Sequence, residues 1–466
     1  MLEALFAGTG EKEPETEKVS YEREKPKRGG HGRQEIPDHL PRVREDVDVS
    51  EEEKLCSVCG TEKKRIREDV SEQLEYVPAS LFVKQTVRPV YACPGECEVT
   101  TPPPPSMPIP KGIAGPGLLA QVAVSKYGDH LPLNRQEDIF SRHGVHIARS
   151  TQCDWMRQCA ELVTLLRERM KAVILQAKVV ATDDTPLKVQ EKKKTRIGRH
   201  WVYLDLSRNL AVFDYTPTRK RDGPMAFLEG FSGYLQADAY VGYDAIFAGE
   251  SVKEVACWAH ARRKFDGAKS AQSDVALAAM AWIKRLYDVE REAKAFVKEA
   301  GRDHDEETRR ALLVAKRYEL RQAKSIPLLA DFDAWLTRQE AAVLPKSPAG
   351  KAISYVRSNW AALNRHVEDG DLEIDNNAAE RAMRHIAVGR KNWLFAGSDR
   401  GGETGAMLTS LLYSAKLHRL DLFAYMQDVF TRIADVKITE LDQFLPDIWK
   451  RDHPEHCRPR KNDTNA

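Results

Sequence analysis

Three acidic residues in distant parts of the chain have the positions that a pair of divalent metal ions would require. Asp183 and Asp238 each end a predicted strand, and Glu380 lies on a predicted helix. Phosphodiester transfer needs two metal ions about 3.5–4 Å apart, one to activate the attacking oxygen and one to stabilise the leaving oxygen. Because Mg²⁺ prefers oxygen ligands and keeps some of its water, a few carboxylates suffice. The pattern indicates a two-metal site for Mg²⁺, or Mn²⁺, with two ions bound by these acids.

Each of these acids also has an ordinary structural explanation. Asp184 competes with its neighbour for the metal-binding role, and Asp238 would equally cap the segment that follows it. Glu380 would complete a capping box with Asn377, or pair with Arg384 one helical turn later. The residue pattern leaves these alternatives open, although the three acids together carry more weight than any one of them.

Four of the eight cysteines form two close pairs with 33 residues between them, residues 60–92. Tetrahedral zinc with four thiolates needs such pairs on tight turns, and strand-forming residues lie between them as in a zinc ribbon. The alternative is four incidental thiols. We predict one structural Zn²⁺, whose ligands would be Cys56, Cys59, Cys93 and Cys97.

The other four cysteines, Cys153, Cys159, Cys257 and Cys457, are isolated in the sequence. Cys257 and His260 have the spacing of half a metal site but lack a partner pair, so no role is assigned to them. Cysteines in a long chain without an export signal do not predict a disulfide framework.

Basic side chains cluster near the predicted metal centre. Such cations would hold DNA phosphates beside a carboxylate–metal site, although solvated helix faces or ion pairs explain any one of them equally well. Residues 397–404 are glycine-rich and precede a predicted helix, but Glu403 stands where a phosphate-binding loop needs lysine, so no ATP site is expected. The candidate DNA-binding residues are Arg149, Arg262, Arg263, Lys264, Arg381, Arg384, Arg390 and Lys391.

The elements that must position these residues follow the order strand, strand, strand, helix, strand, helix, strand. This is the order of a ribonuclease H-like fold, in which the strands ending in Asp183 and Asp238 are neighbours in the centre of the sheet. The predicted strands span residues 178–183, 200–206, 211–215, 234–238 and 254–258, and the first helix spans residues 224–231.

The whole chain is expected to be a multi-domain α+β and α/β protein. Residues 113–175 contain two short predicted helices around a glycine turn at Gly144, which indicates a helix-turn-helix or an ordinary helical hairpin. Ser150 or Thr151 would cap the second helix. The predicted divisions are a disordered segment with a basic run at 1–50, a zinc ribbon at 51–100, a proline-rich linker at 101–112, the helical DNA-binding region at 113–175, a ribonuclease H-like core at 176–261 and 371–420, a helical insertion at 262–370 and a C-terminal segment at 421–466.

Bulk properties restrict the class of protein without naming a partner. A length of 466 residues suggests about three domains. The net charge of +2 does not by itself indicate nucleic acid. No run of about 18 apolar residues exists, so no membrane partner is expected. The first residues lack the features of a secretory signal, so a cytoplasmic location is expected.

Residues from about 56 to 448 resemble the transposases of insertion-sequence family 66, a DDE class named for its two aspartates and one glutamate. The resemblance covers over four-fifths of the chain, and its long ordered blocks are highly specific together. They are residues 69–78 (DVSEQLEYVP), 182–186 (TDDTP), 233–243 (GYLQADAYVGY), 257–265 (CWAHARRKF), 374–381 (IDNNAAER) and 389–402 (GRKNWLFAGSDRGG).

The resemblance implies that Asp183, Asp238 and Glu380 are the metal-binding triad, and that a helical insertion separates the second aspartate from the glutamate. It also implies zinc at the cysteine pairs. The expected function is cleavage of DNA at the ends of a mobile element and strand transfer into target DNA. The expected partners are terminal inverted repeats, target DNA, a second copy of the chain or more, and accessory proteins of the element. A DNA-binding regulator with an inactive core, and a nuclease without strand transfer, are the alternatives.

Overall fold

The computed structural model describes residues 61, 80–92, 99–100, 102–110, 112–249 and 251–458. The chain divides into two compact units, Met1–Val83 and Lys84–Ala466. Of the first unit, residues 61 and 80–83 are described, and the architecture below is that of the second unit. The four paired cysteines and the predicted disordered segment at 1–50 lie outside the described residues.

A five-stranded mixed sheet forms the centre of the second unit, as expected for a chain of α/β type. Its strands are β3 (Val179–Gln190), β4 (Thr195–Asp205), β5 (Leu210–Thr216), β6 (Gly233–Gln236) and β7 (Val252–Val255), and a separate two-stranded pair, β1 (Tyr91–Ala92) and β2 (Val99–Thr100), precedes them in the chain. The order across the sheet is β5-β4-β3-β6-β7. Strand β4 is antiparallel to both of its neighbours, whereas β6 is parallel to β3 and β7 is parallel to β6.

Several predicted strand ends are wrong. Strand β3 does not end at Asp183 but continues to Gln190, because the second half of the strand pairs with β4 in a long hairpin. Strand β6 ends at Gln236, two residues before Asp238. The apolar run expected to be a strand at 254–258 ends as β7 at Val255, and its last residue already begins a helix.

Helices cover both faces of the sheet. On one face, buried apolar side chains of β3–β5 pack against helices that precede the sheet in the chain and against helices near the C-terminus, within residues 114–174 and 408–449. On the other face, a later helix places Ala379, Ala382 and Met383 on Ala181 and Val189. The helices that precede the insertion are α1 (Pro116–Ala123), α2 (Leu133–Arg142), α3 (Arg149–Leu162), α4 (Thr164–Ile174), α5 (Asp222–Phe227) and α6 (Asp244–Phe247).

The two helices predicted around a glycine turn are present as α2 and α3. Gly144, in the turn between them, has φ +78°, a conformation that favours glycine. The predicted caps at Ser150 and Thr151 are wrong, since α3 begins at Arg149 after Ala148 and no side chain caps it.

A helical layer separates β7 from the segment that bears Glu380. Its core joins Trp258 and Phe265 to Ile283 and Phe332, and it also includes Ile374, which lies after the last helix of the layer. Helical packing therefore begins at Trp258, before the predicted boundary at 262. These helices are α7 (Trp258–Asp266), α8 (Ser273–Ala300), α9 (Glu306–Leu320), α10 (Ile326–Ala342), α11 (Pro348–Ser358) and α12 (Trp360–Asn364).

The chain then returns to the sheet. The hydroxyl groups of Ser410 and Ser414 accept hydrogen bonds from the backbone N–H groups of Phe213 and Ala211 on β5, at 2.8 and 2.9 Å. The helix that carries these serines thus covers the exposed edge of the sheet. The last helices are α13 (Asn377–Trp393), α14 (Asp399–Leu417), α15 (Leu422–Arg432) and α16 (Pro446–Asp452).

The glycine-rich stretch at 397–404 is helical from Asp399 onward, which corrects the prediction of a loop there. The side chain of Ser398 caps the helix by accepting from Gly401. A Cβ atom at Gly402 would lie 2.7 Å from the ring of Tyr215, so this glycine permits close packing of the helix on β5. No helix within the described ranges is long and apolar enough to cross a bilayer.

Candidate active site

Asp183 lies within β3, and Asp238 lies two residues beyond the end of the neighbouring parallel strand β6. The pairing of β3 with β6 ends with Ala181 opposite Gln236, and each acid follows two residues later. Side chains two residues apart in an extended chain share a face, and paired strands are about 4.8 Å apart. The register therefore places Asp183 beside the carboxyl end of β6, from which the chain continues to Asp238.

The two carboxylates share one electrostatic environment with Glu380. Burial raises the pKa of Asp183 to about 7, and the negative charges of Asp238, Asp184 and Glu380 add to this effect. Burial likewise raises the pKa of Asp238, although His260 and Arg219 oppose the shift. Carboxylates that repel one another in a half-buried site are the donor set that a divalent cation would stabilise.

Glu380 projects from the first turn of α13 toward α7. Its Oε1 lies 3.7 Å from Nε2 of His260, and its Oε2 lies 3.5 Å from a guanidinium nitrogen of Arg263. Oε1 is buried and accepts no hydrogen bond. A buried carboxylate oxygen without a donor is costly, and it fits the requirement for a metal ligand.

Neither structural alternative for Glu380 holds. The side chain of Asn377 donates to Asp375 at 2.7 Å instead of completing a capping box. The ion-pair partners of Glu380 among the described residues are His260 and Arg263, and Arg384 is not one of them.

Asp184 is held on the other face of β3 from Asp183. Its carboxylate forms ion pairs with Arg199 at 2.9 Å and with Arg219 at 2.8 Å, and only 3% of the side chain is exposed. The guanidinium of Arg219 also lies 4.0 Å from the centre of the Tyr240 ring. Because two arginines neutralise it, Asp184 is not a free carboxylate that competes with its neighbour.

The segment that leads to Glu380 is tied to both acid-bearing strands. Gln236 on β6 donates through Nε2 to the carbonyl oxygens of Glu373 and Asp375, at 2.7 and 3.0 Å. Asn376 donates through Nδ2 to the carbonyl oxygen of Thr182 at 2.8 Å. The sequence argument did not assign a role to either amide, although both lie inside the blocks that carry the family resemblance.

A buried ion-pair cluster fixes the same segment from the side of the helical layer. Arg321 is fully buried and donates to Glu290 at 2.7 Å. It also donates to the carbonyl oxygens of His366, Asp369 and Leu372, at 2.7–2.8 Å.

Arg317, one turn earlier, donates two hydrogen bonds of 2.8 Å to the carboxylate of Glu373. In the sequence these two arginines are indistinguishable from surface charges at helical spacing. Their burial means that the helical layer holds the strap of residues 366–376 in place.

The predicted DNA-binding residues differ in their exposure to solvent. Seven of them are exposed, whereas Arg390 is half-buried and donates to the hydroxyl of Thr185, at 2.8 Å, and to the carbonyl of Pro186. Arg390 thus braces α13 against β3. The exposed group on α7 and α13 consists of Arg262, Arg263, Lys264, Arg381, Arg384 and Lys391, and Arg149 is exposed at the start of α3.

Comparison with known families gives one consistent result. Residues 111–404 match the model described as the Transposase IS66 family. Residues 53–98 match the zinc-finger binding domain of transposase IS66, and residues 410–446 match the IS66 C-terminal element. The chain therefore belongs to the IS66 transposase family, which confirms the resemblance inferred from the sequence blocks. The zinc-finger match also supports a structural zinc at the paired cysteines.

Curated relatives span most of the chain. The uncharacterized protein y4hP of Sinorhizobium fredii (strain NBRC 101917 / NGR234) is 33% identical over 442 residues, which cover 89% of this chain and 76% of that protein. The uncharacterized protein y4jD of the same strain is 34% identical over 437 residues, covering 90% of this chain and 82% of that protein. Neither name adds an activity to the one that the family suggests.

Proposed function

We propose that this protein is a DNA transposase that cleaves DNA at the ends of its element and joins the freed 3′ hydroxyl to target DNA. Asp183, Asp238 and Glu380 would bind two Mg²⁺ or Mn²⁺ ions. When bound, the two ions supply activation of the attacking oxygen and stabilisation of the leaving oxygen. The observation that carries the proposal is that Asp183 lies in β3, Asp238 follows the parallel neighbour β6, and α13, which bears Glu380, packs on β3.

The sheet supports a ribonuclease H-like core. Its order is β5-β4-β3-β6-β7, β4 runs antiparallel to its neighbours, and β3, β6 and β7 are parallel. The first acid lies within β3, the second follows its parallel neighbour β6, and the third comes from a helix packed on β3. An arrangement of this kind draws the metal ligands from rigid elements, which limits their movement during the reaction.

The remaining regions would hold DNA. The exposed cations lie on the two helices that meet at Glu380, with Arg263 3.5 Å from it, and would contact phosphates, whose negative charge they match. The helices α2 and α3 would act as a helix-turn-helix, and together with the zinc ribbon would recognise the terminal repeats. Recognition of two element ends would require at least two copies of the chain.

The test is an assay with purified protein, Mg²⁺ or Mn²⁺, and DNA that contains the element ends. The unaltered protein should cleave and join the DNA, and Asp183→Asn should abolish both steps while leaving the fold and DNA binding intact. Glu403→Gln, at an exposed acid near the start of α14, is the matched control and should keep full activity.

The products identify the function directly. Full strand transfer by Asp183→Asn would disprove the assignment of this acid. Binding without cleavage by the unaltered protein would indicate a regulator, and cleavage without joined strands would indicate a nuclease.

A further inference from the structure

We propose that Cys257, His260 and Glu380 form a binding site for a divalent ion of the zinc class, separate from the zinc ribbon. One ligand atom from each of the three residues lies within 4.8 Å of the other two. The site adjoins the proposed magnesium centre and shares Glu380 with it. A thiolate, an imidazole and a carboxylate are donors that Zn²⁺ accepts readily, whereas Mg²⁺ selects oxygen ligands.

The fold supplies what the sequence spacing lacks. Cys257 immediately precedes α7, and His260 lies in the first turn of that helix. In the sequence this pair is only half of a metal site. The third donor arrives from the first turn of α13, which begins far along the chain after the helical layer. The first turns of the two helices therefore bring all three donors together.

An unpaired carboxylate oxygen points to a ligand at this position. Oε1 of Glu380 is buried and has no hydrogen-bond partner, and the ring nitrogen of His260 that faces it is Nε2. Nε2 of His260 and Oε1 of Glu380 are 3.7 Å apart, which is too long for a hydrogen bond. Two ligands bound about 2.1 Å from one tetrahedral zinc are about 3.4 Å apart. A small movement of either side chain would bring both atoms onto one ion.

The sulfur is already oriented. Burial raises the pKa of the Cys257 thiol to about 11, and the backbone N–H of Asn376, which donates to Sγ at 3.2 Å, opposes that shift. Binding of the ion would transfer the thiol proton to solvent and leave a metal–sulfur bond. His260 and Glu380 keep 23% and 30% of their side chains exposed, so an ion can enter and a water can complete the tetrahedron.

One consequence rests on the proposed function. Glu380 cannot hold a zinc-class ion beside Cys257 and serve the magnesium centre at the same time. Micromolar zinc would therefore inhibit cleavage that depends on Mg²⁺, and a zinc chelator would restore it.

The site itself is tested without any cleavage assay. The full chain, prepared with one zinc per chain in its ribbon, is titrated with Co²⁺, whose bond to a thiolate gives a charge-transfer absorption band. We expect one further equivalent of Co²⁺ and a band that reports one cobalt–thiolate bond. Both should be lost in Cys257→Ser and in His260→Gln, whereas Cys153→Ser, at an exposed thiol, should retain them.

The outcomes separate this inference from the proposed function. Circular dichroism and retention of the ribbon zinc show that each variant is folded. Absence of the extra equivalent in the unaltered protein, or its persistence in Cys257→Ser, overturns the zinc-class site. Asp183→Asn should still take up the extra Co²⁺, so a protein that binds this ion but never cleaves DNA would refute the transposase proposal alone.

Discussion

Asn376 donates a 2.8 Å hydrogen bond from Nδ2 to the carbonyl oxygen of Thr182, the residue immediately before Asp183 in the central strand. Asn376 is itself buried, and it also directs its backbone N–H to the sulfur of Cys257. This one residue therefore connects the strand that bears the first acid, the start of α7 and the start of α13. The position of Glu380 relative to Asp183 depends on it.

Replacement of Asn376 by alanine should weaken metal binding more than it weakens folding. Groups that orient metal ligands contribute about 10–100-fold to metal affinity or activity. We expect Asn376→Ala to raise the Mg²⁺ concentration for half-maximal cleavage by about tenfold or more. Asn359→Ala removes a comparable 2.8 Å side-chain bond to a backbone carbonyl within the helical layer and should leave that concentration unchanged. Equal Mg²⁺ requirements for the two variants would contradict the positioning role.

Asp183 and Asp184 should respond in opposite directions to the same substitution. Without metal at pH 8, Asp183→Asn removes a carboxylate whose pKa burial raises to about 7, so the melting temperature should rise. Asp184→Asn leaves Arg199 and Arg219 without their partner, and we expect a loss of about 1–3 kcal/mol because both arginines are partly exposed. Thermal unfolding of the metal-free proteins measures both effects. A shift of the same sign in both variants would contradict the assignment of the two carboxylates to different environments.

The buried arginine of the helical layer should be essential for stability. Arg321→Met leaves the Glu290 carboxylate and three carbonyl oxygens without their donor, at a cost of about 3–5 kcal/mol. Lys324→Met removes an exposed ion pair with Glu292 nearby, and its cost should stay below about 1 kcal/mol.

Hydrogen exchange localises the damage. In Arg321→Met, amides of residues 366–376 should exchange faster, because the strap loses its anchor on the layer. Unchanged protection there, together with a lower melting temperature, would place the effect of Arg321 elsewhere.

Acid should destabilise the protein partly through His385. Burial lowers the pKa of this histidine to about 4, with a contribution from His130, and its Nε2 lies 2.6 Å from the carbonyl oxygen of Tyr127. An unfolded histidine has a pKa of about 6.5, so the unfolded chain binds the proton more tightly. The stability is therefore complete above about pH 6.5 and is lost as the pH falls toward 4, by up to about 3 kcal/mol.

The matched variant is His385→Gln, whose amide can still donate to the carbonyl of Tyr127. The difference in melting temperature between pH 8 and pH 5 should be smaller in this variant than in the unaltered protein. His200, also buried with its pKa lowered to about 4, should preserve part of the dependence. Identical differences in the two proteins would show that His385 does not titrate in this way.

The first half of β3 and the neighbouring strand β6 could be predicted, because each corresponds to a short apolar run that is followed by an aspartate. The second half of β3 could not, since Pro186 lies within it and proline normally argues against a central strand. That half extends beyond the short β6, where it pairs with β4 and on its other side meets only an isolated bridge from Val189 to Ala396 among the described residues. The sequence of the first half of β3 therefore predicts a strand, whereas the sequence of the second half argues against one.

Other features depend on contacts between distant segments, which spacing does not reveal. Glycine content predicts a loop at 397–404, but packing on Tyr215 requires Gly402 within a helix. The spacing of Arg321 in the sequence does not distinguish it from an exposed helical arginine. It is buried because the carbonyl oxygens of residues 366, 369 and 372 accept its hydrogen bonds. In the same way, Cys257 and His260 acquire a third donor only when α13 packs beside α7.

The order of these segments along the chain has a consequence during synthesis. Asn376 joins α13 to Thr182 across 194 residues, and a ribosome making about 5–20 residues per second needs roughly 10–40 seconds to translate that distance. By the end of this interval the nascent chain carries Asp183 and Asp238 but not yet Glu380. On the proposed function, a polypeptide released before Glu380 would lack the third acid and could not cleave the chromosome.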